Sequence, residues 1–415
     1  MTLSRNAAAL AIMHGTGALQ PLLLIPYGAR VLGPTAYGQY VYIIAMAYLA
    51  NTLVDYGFSW TAQRSAAAAR HDPAALARLL AEITAAKGLL CVAVAAIGLI
   101  TYGVLSIPLP LLLYALTVPL GGTLFAGWLF IAIERPWRAA VPLLIARGLA
   151  LVLFILLVKS PADIELAVAT QALIPMIAAF ASLPFVVGLA AKGFASLTCR
   201  GVVSQLRNGW PSFVSTLSGN AVLMLPVPLV GHFAGFAAAG QYSVAEKLVN
   251  ATRIVFRAIG ETLMPRVAYL AQHDPARGIA LIRRSYWTLV IGVSLSLGIY
   301  VVGPYAIELL LGPNYAGAVP LLNILCLIPI IVNIRFCASH LYMFNYGYDY
   351  AWVSLSLLGA LTFLGAAYLL SYWIEGAKAV AAGVLIGECV VAAVSTGFFI
   401  VSGAARRQVR RTADV

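Results

Sequence analysis

The sequence predicts an all-α polytopic membrane protein with about twelve transmembrane helices in two parallel six-helix repeats. Composition is the first reason. Of 415 residues, 62% are hydrophobic and only 10% are charged, with a mean hydropathy of +0.93, whereas soluble chains carry roughly 25% charged residues. Soluble domains filling this length would lack the charge to coat their surfaces, so lipid must be the main solvent. A soluble enzyme, a nucleic-acid binder and a disordered scaffold are excluded on the same ground. The second reason is that apolar runs near the ~20 residues needed to cross a bilayer recur along the whole chain. The third is that two segments repeat at nearly one spacing.

The first run, 6–28, has a basic start and small residues that resemble a cleavable signal. His14, Gly15, Gly17, Gln20 and Pro21 interrupt the compact apolar core such a signal needs, so it reads as an uncleaved, cavity-facing helix. The runs 37–56, 83–105, 111–133, 140–158 and 166–190 complete a first set of six. A second set follows at 212–233, 238–262, 286–302, 319–340, 351–372 and 380–401. The first, seventh and eighth are the least regular, broken by Pro, Gly or charge. The longest connections, 57–82, 191–211 and 263–285, are too short for a soluble domain. The chain therefore divides into a lobe at 1–190, a linker at 191–211, a lobe at 212–402 and a basic tail at 403–415. In loops 64–82 and 266–285, His71-Asp72-Pro73 and His273-Asp274-Pro275 each open a basic amphipathic stretch. Asp before Pro starts helices, and interfacial helices on the inner leaflet are expected there, against the plainer alternative of solvated loops.

The net charge is +12, from 26 basic and 14 acidic residues, and its distribution sets orientation. With the N-terminus inside, seventeen Lys and Arg fall in inner loops and tails, and only Arg30, Lys159 and Lys378 in outer ones. Basic residues accumulate on the cytoplasmic side, which places both termini in the cytoplasm. The five cysteines, Cys91, Cys199, Cys326, Cys337 and Cys389, are widely spaced with no C-x-x-C pair, so they read as reduced packing residues and no metal is expected.

Shifted by 202 residues, PYGARVLGPTAYGQY (26–40) overlies PLVGHFAGFAAAGQY (228–242), pairing Gly33 with Gly235 and the G-Q-Y at 38–40 with that at 240–242. Shifted by 210, LPLLLYALTVPL (109–120) overlies VPLLNILCLIPI (319–330), pairing Pro110 with Pro320 and Pro119 with Pro329. Both shifts map helix n onto helix n+6. Six is even, so the halves share an orientation, as in transporters that rock two lobes about a central site.

Several motifs carry a family resemblance that covers essentially the full chain. They are P-Y-G-A-R-V-L-G-P-T-A-Y-G-Q-Y (26–40), V-D-Y-G-F (54–58), G-Q-Y-S-V-A-E-K-L (240–248), L-L-L-G-P-N-Y (309–315) and E-G-A-K-A-V-A-A-G (375–383). With these the chain resembles Wzx-type flippases of the polysaccharide biosynthesis family, in the MOP superfamily with the MATE exporters and the lipid II flippases. The resemblance implies two six-helix lobes forming a V, and translocation of undecaprenyl-pyrophosphate-linked oligosaccharide repeat units from the cytoplasmic to the outer leaflet of the bacterial inner membrane. It also implies a monomer with no cofactor, working beside a polysaccharide polymerase and a chain-length regulator. Residues 6–28 lack the acidic residue that many MATE exporters carry in helix 1. The chain also shows about twelve spans, without the two extra C-terminal helices common in lipid II flippases.

Charges inside spans mark the candidate site, because each costs about 2.5–3.5 kcal/mol at a helix centre unless it faces protein or a water-filled cavity. In the eighth span Tyr242, Glu246, Asn250, Arg253, Arg257 and Glu261 step by three or four residues onto one face, with Lys247 apart. The equivalent face of the second span holds Tyr40, Ile44, Tyr48, Asn51 and Asp55. Cavity lining is expected of both faces, against a structural network such as Arg257 with Glu261 or Arg253 with Glu246. Arg147 is expected in the cavity, in a salt bridge or snorkelling to the inner surface, and Arg335, Asn333 and His340 either in the cavity or near an interface. His14 and Gln20 are expected to satisfy one another. The stretch YMFNYGYDY (342–350) is expected to form an aromatic belt. Asp55 and Glu388, with no obvious local basic partner, are candidates for ion coupling.

Arginine forks facing a pyrophosphate anion fit a flippase. A MATE-like exporter of cations calls for an acidic cavity. A membrane glycosyltransferase or polymerase calls for outer catalytic acids, and only Asp163, Glu165, Glu308 and Glu375 lie outside. There is no G-x-x-x-x-G-K-[ST] pattern for ATP, which leaves an ion gradient as the expected drive and a transporter, not an enzyme, as the expected class.

Overall fold

The computed structural model describes residues 2–105, 108–194 and 197–413; at some of these, including His14, Arg257 and Glu261, only the backbone is described. Every regular element among the described residues is helical. The chain forms two compact units, Met1–Pro228 and Leu229–Val415.

The first unit contains α1 (Thr2–Asp55), α2 (Phe58–Ala68), α3 (Pro73–Leu105), α4 (Leu109–Leu124), α5 (Gly127–Ala132) and α6 (Trp137–Leu157). It continues with α7 (Ile164–Ala172), α8 (Ile174–Ser182), α9 (Val187–Phe194) and α10 (Cys199–Met224). The second unit begins inside α11 (Pro226–Ala251). It then holds α12 (Arg253–His273), α13 (Pro275–Ser285), α14 (Leu289–Leu311), α15 (Ala318–Leu325), α16 (Ile328–Arg335), a π-helical segment at Phe336–Met343, α17 (Asp349–Leu370) and α18 (Gly376–Ala413).

Ten stretches among the described residues are long and apolar enough to cross a membrane, against twelve expected spans. Two of them, Ala8–Ala68 and Cys199–Ala251, run to 61 and 53 residues. At 1.5 Å per residue these would reach roughly 80–90 Å if straight, far beyond a hydrocarbon core of about 30 Å. Neither is straight. Gly33 (φ 70, ψ 170) breaks the first and Gly235 (φ 82, ψ 172) the second, both in a region of backbone space essentially restricted to glycine. The two breaks fall on residues that the sequence repeat pairs with one another. Each long stretch thus contains one expected span and all or part of the next.

The two H-D-P motifs are equivalent under the same repeat, and each opens a helix. Asp72 Oδ1 accepts from the backbone N–H groups of Ala74 at 2.9 Å and Ala75 at 3.1 Å, while Asp274 Oδ1 accepts from Arg277 N at 3.1 Å. These are N-cap bonds, with proline in the first turn where its missing N–H costs nothing. The expectation of two interfacial helices needs correction. In the first half the helix opened by Pro73 continues unbroken into the third span. In the second half α13 runs through one 3-10 turn at Tyr286–Thr288 into α14, burying Ile279 and Ile282 and exposing Arg277, Arg283 and Arg284 on the way.

Large aliphatic side chains face outward at membrane depth, with Val92 at 70% and Ile100 at 79% exposure on α3. Apolar exposure of this kind suits lipid. In the first unit an apolar cluster joins Phe58, Leu79, Ile83, Trp128 and Phe130. The second unit's cluster joins Val267, Ile279, Leu341, Tyr342 and Phe399. Tyr342 corrects the aromatic-belt expectation: it is fully buried, packs on Tyr346, Tyr348 and Phe399, and its hydroxyl meets Ser402 Oγ at 2.9 Å. Of this stretch, Phe344 and Tyr350 are the exposed rings. All five cysteines are free; Cys91, Cys326 and Cys337 are buried and Cys199 and Cys389 exposed.

Candidate functional site

In the second unit, four elements bring ionisable side chains together. Arg253 is the first residue of α12, directly after the Thr252 turn that ends α11. Its Nε donates to Asn250 Oδ1 at 2.9 Å, which turns the far edge of the guanidinium toward α18. There its Nη2 meets Glu388 Oε1 at 3.2 Å. Arg335, the last residue of α16, places Nε 3.3 Å from Glu388 Oε2. That second contact is one of charge without hydrogen-bond geometry, since neither atom completes a hydrogen bond. The Glu388 side chain is 3% exposed, whereas the Arg253 and Arg335 side chains keep 27% and 24%. One sealed carboxylate is therefore shared by two guanidiniums, each still open on another side. His340, on the π-helical segment next to Arg335, has a buried Nδ1 with no partner and lies within Coulombic reach of the triad. π-Helical turns often mark functional positions.

Glu388 therefore has two basic partners, correcting the premise that it stands alone; they come from helices far away in sequence. Arg253 pairs with Glu388, not with Glu246. Tyr242 and Glu246 are buried inside the unit, with Lys247 Nζ 3.8 Å from Glu246, so among the described side chains of the expected stripe Asn250 and Arg253 are the partly accessible ones. The side chains of Arg257 and Glu261 lie outside the described residues. Asn333 is buried, donating to Thr288 Oγ1 at 2.9 Å, so it is a packing contact between α16 and the turn before α14.

In the first unit, Asp55 closes α1. Its Oδ1 accepts from Lys87 Nζ of α3 at 2.7 Å and from Ser59 Oγ at 2.9 Å. The Lys87 side chain is 4% exposed and that of Asp55 19%. The supposed isolation of Asp55 is thus also corrected: a lysine from another helix reaches it once α3 packs along α1. Arg147 Nη1 donates to the Met13 carbonyl and to Thr16 Oγ1, both at 2.6 Å, and its guanidinium lies over Gly17. It braces α6 against α1 through neutral acceptors, close to Tyr48. Asn51 abuts Gly122 of α4. Gln20 bonds Gln171 of α7 at 2.9 Å, not His14, whose side chain lies outside the described residues. No group of His, Cys, Asp and Glu able to hold a metal occurs among the described residues.

From the sequence, Arg335 and His340 stood equally as cavity and as interfacial residues, and Lys87 had no place in a site. One signal was available: intramembrane charges of opposite sign are expected to find one another, and Asp55 with Lys87, or Glu388 with Arg253, are such charges.

Comparisons with known proteins agree with this architecture. The chain is 25% identical over 395 residues to a protein of Shigella dysenteriae named as a candidate O-antigen transporter, covering 94% of this chain and 98% of the relative. A relative of Escherichia coli K12 with the same name is 25% identical over 342 residues, covering 80% and 81%. Among solved structures, a multidrug resistance MATE family transporter of the MOP superfamily in an inward-facing conformation aligns with a TM-score of 0.76 at 13% identity, covering 94% of this chain and 96% of that one. At that identity the likeness establishes the fold. The family model described as polysaccharide biosynthesis protein matches residues 3–271, and the chain belongs to that family.

Proposed function

We propose that this protein is a flippase. In this reading it carries undecaprenyl-pyrophosphate-linked oligosaccharide repeat units from the cytoplasmic to the outer leaflet of the bacterial inner membrane, by ion-coupled alternating access, for surface polysaccharide assembly. The observation that carries it is the pair of half-buried guanidiniums, Arg253 and Arg335, around one sealed carboxylate. The triad has net positive charge at membrane depth, where a charge with accessible surface needs water or an anion beside it. A guanidinium presents a planar fork that matches phosphate oxygens. A cation exporter would call for the opposite polarity. The relatives named as candidate O-antigen transporters point the same way.

In this proposal Arg253, Arg335 and Asn250 contact the pyrophosphate region, with Arg257 on the same helix. Tyr48, Asn51 and Arg147 line the path in the first half, and Asp55 and Glu388 are the carboxylates that respond to the coupling ion. The moving halves are the lobes at 1–190 and 212–402, both termini are cytoplasmic, and the protein acts as a monomer beside a polymerase and a chain-length regulator. Arg253→Ala tests the reading. A charge-assisted bond lost to phosphate is worth about 1.5–3 kcal/mol, tenfold or more in binding. The variant should insert normally yet leave lipid-linked repeat units on the cytoplasmic leaflet and abolish surface polysaccharide. Arg253→Lys should retain part of the activity. Full transport by stably expressed Arg253→Ala would remove the residue from the mechanism. Normal polysaccharide in a clean deletion lacking a redundant flippase would overturn the function.

A further inference from the structure

We infer that Glu388 is a built-in stand-in for the substrate anion: it neutralises Arg253 and Arg335 when the site is empty and gives up both guanidiniums, gaining a proton, when a pyrophosphate binds. This rests on the flippase reading and specifies how its charged cluster works.

Two cations side by side in an apolar interior repel one another and are costly to desolvate. Glu388 removes most of that cost by meeting both, Arg253 Nη2 at 3.2 Å and Arg335 Nε at 3.3 Å. Its attachment is incomplete, because Oε2 makes no hydrogen bond although it is buried. The guanidiniums also differ from the carboxylate in access, since about a quarter of each is open while Glu388 is sealed. An incoming anion therefore reaches the arginines without reaching Glu388, and the two oxyanions compete for the same N–H donors. A pyrophosphate diester carrying several acceptor oxygens can span both forks, which one carboxylate in this position does not do. Once the forks turn to phosphate, Glu388 is an uncompensated buried anion. Such a group neutralises by taking a proton. The proton goes from solvent to a Glu388 carboxylate oxygen, so the charge change of the site on binding is one unit smaller than the charge of the anion.

Among the described residues, the ionisable groups facing Glu388 are Arg253 from α12, Arg335 from α16, His340 from the π-helical segment and Cys389 from its own helix. Arginine stays charged throughout. Of these described groups, His340 is the other one that could take the proton near neutral pH, so it must be tested too.

The experiment is calorimetric titration of the full-length protein in nanodiscs with a short-chain prenyl pyrophosphate diester of a sugar, a probe whose own phosphates do not titrate near neutral pH. Repeating it in buffers of different ionisation enthalpy counts protons taken up per probe bound. Wild type should take up close to one proton, and its affinity should fall up to about tenfold per pH unit on the alkaline side. Glu388→Gln should bind at least as tightly, take up no proton and lose the pH dependence. His340→Gln should keep the uptake, while Arg253→Ala and Arg335→Ala should each weaken binding tenfold or more. Binding without proton uptake by wild type would overturn the exchange whatever the variants do, leaving the flippase reading intact if both arginines still matter. Uptake lost in His340→Gln and kept in Glu388→Gln would also overturn it. Failure of the probe to bind wild type would remove both readings.

Discussion

Lys87→Met isolates the buried pair in the first unit. The Lys87 ammonium lies 2.7 Å from Asp55 Oδ1, with the side chains 4% and 19% exposed, so both charges are largely shielded from solvent. Removing one partner of such a pair costs about 3–5 kcal/mol, because the other remains as an uncompensated charge. Asp55 keeps its bond from Ser59 Oγ at 2.9 Å and some exposure, which places the expected loss at the low end, about 3 kcal/mol. At about 2–4 °C per kcal/mol for a unit of this size, the melting temperature of purified protein should fall by about 6–12 °C. Asp55→Asn should cost a similar amount by stranding the ammonium. The double variant should cost less than either single change, since a neutral isostere pair removes the buried charge, giving a favourable coupling of about 2 kcal/mol or more in a double-mutant cycle. Additive losses, or a Lys87→Met variant that melts with wild type, would refute the argument that this pair is buried and mutually dependent. The same proteins test ion coupling. If the pair only holds α3 against α1, the double variant keeps ion-dependent transport in proteoliposomes; loss of coupling in a stable double variant places Asp55 in the transport cycle.

Two further outcomes follow from the backbone and the charge map. Gly33→Ala and Gly235→Ala meet open space around the added methyl group but require φ of 70° and 82°, so each should lose about 1–3 kcal/mol through backbone strain alone. Gly15→Ala also meets open space, within a helix, and should be neutral or slightly stabilising; equal melting temperatures for all three would show that the breaks do not depend on glycine. For orientation, a single cysteine at Pro161 should react with an impermeant thiol reagent added outside intact cells, in a background lacking the native cysteines, whereas one at Arg410 should not. The reverse labelling would invert the whole membrane assignment.

Much of the architecture was legible without coordinates because lipid imposes a simple rule on composition. A segment that crosses hydrocarbon must be apolar and must satisfy its own backbone, so spans such as 140–158 correspond to helices, here α6 (Trp137–Leu157). The repeat was legible for a related reason. A chain break that needs positive φ ties glycine to its position, so Gly33 and Gly235 keep both their place in the repeat and their backbone angles. Boundaries were less legible where proline divides a span. The run at 319–340 becomes α15, α16 and a π-helical segment, because Pro329 opens a new helix more easily than it continues one.

The charged residues themselves could be found from the sequence, since every Arg, Lys, Asp or Glu in an apolar run demands an account. Their partners could not. Glu388 of α18 meets Arg253 of α12 and Arg335 of α16, and Asp55 of α1 meets Lys87 of α3. Pairing of this kind depends on which helix faces pack together, and an apolar helix with a nearly uniform surface encodes its facing direction only weakly. Likewise, the aromatic run at 342–350 has the composition of an interfacial belt, yet Tyr342 is buried, packed against Tyr346 and against Phe399 of α18, a helix remote in sequence. The sequence by itself determined the solvent, the helical class, the repeat and the list of costly charges. Only the tertiary structure decided which charges neutralise one another and which keep an accessible face, because those depend on short distances between helices remote in the chain.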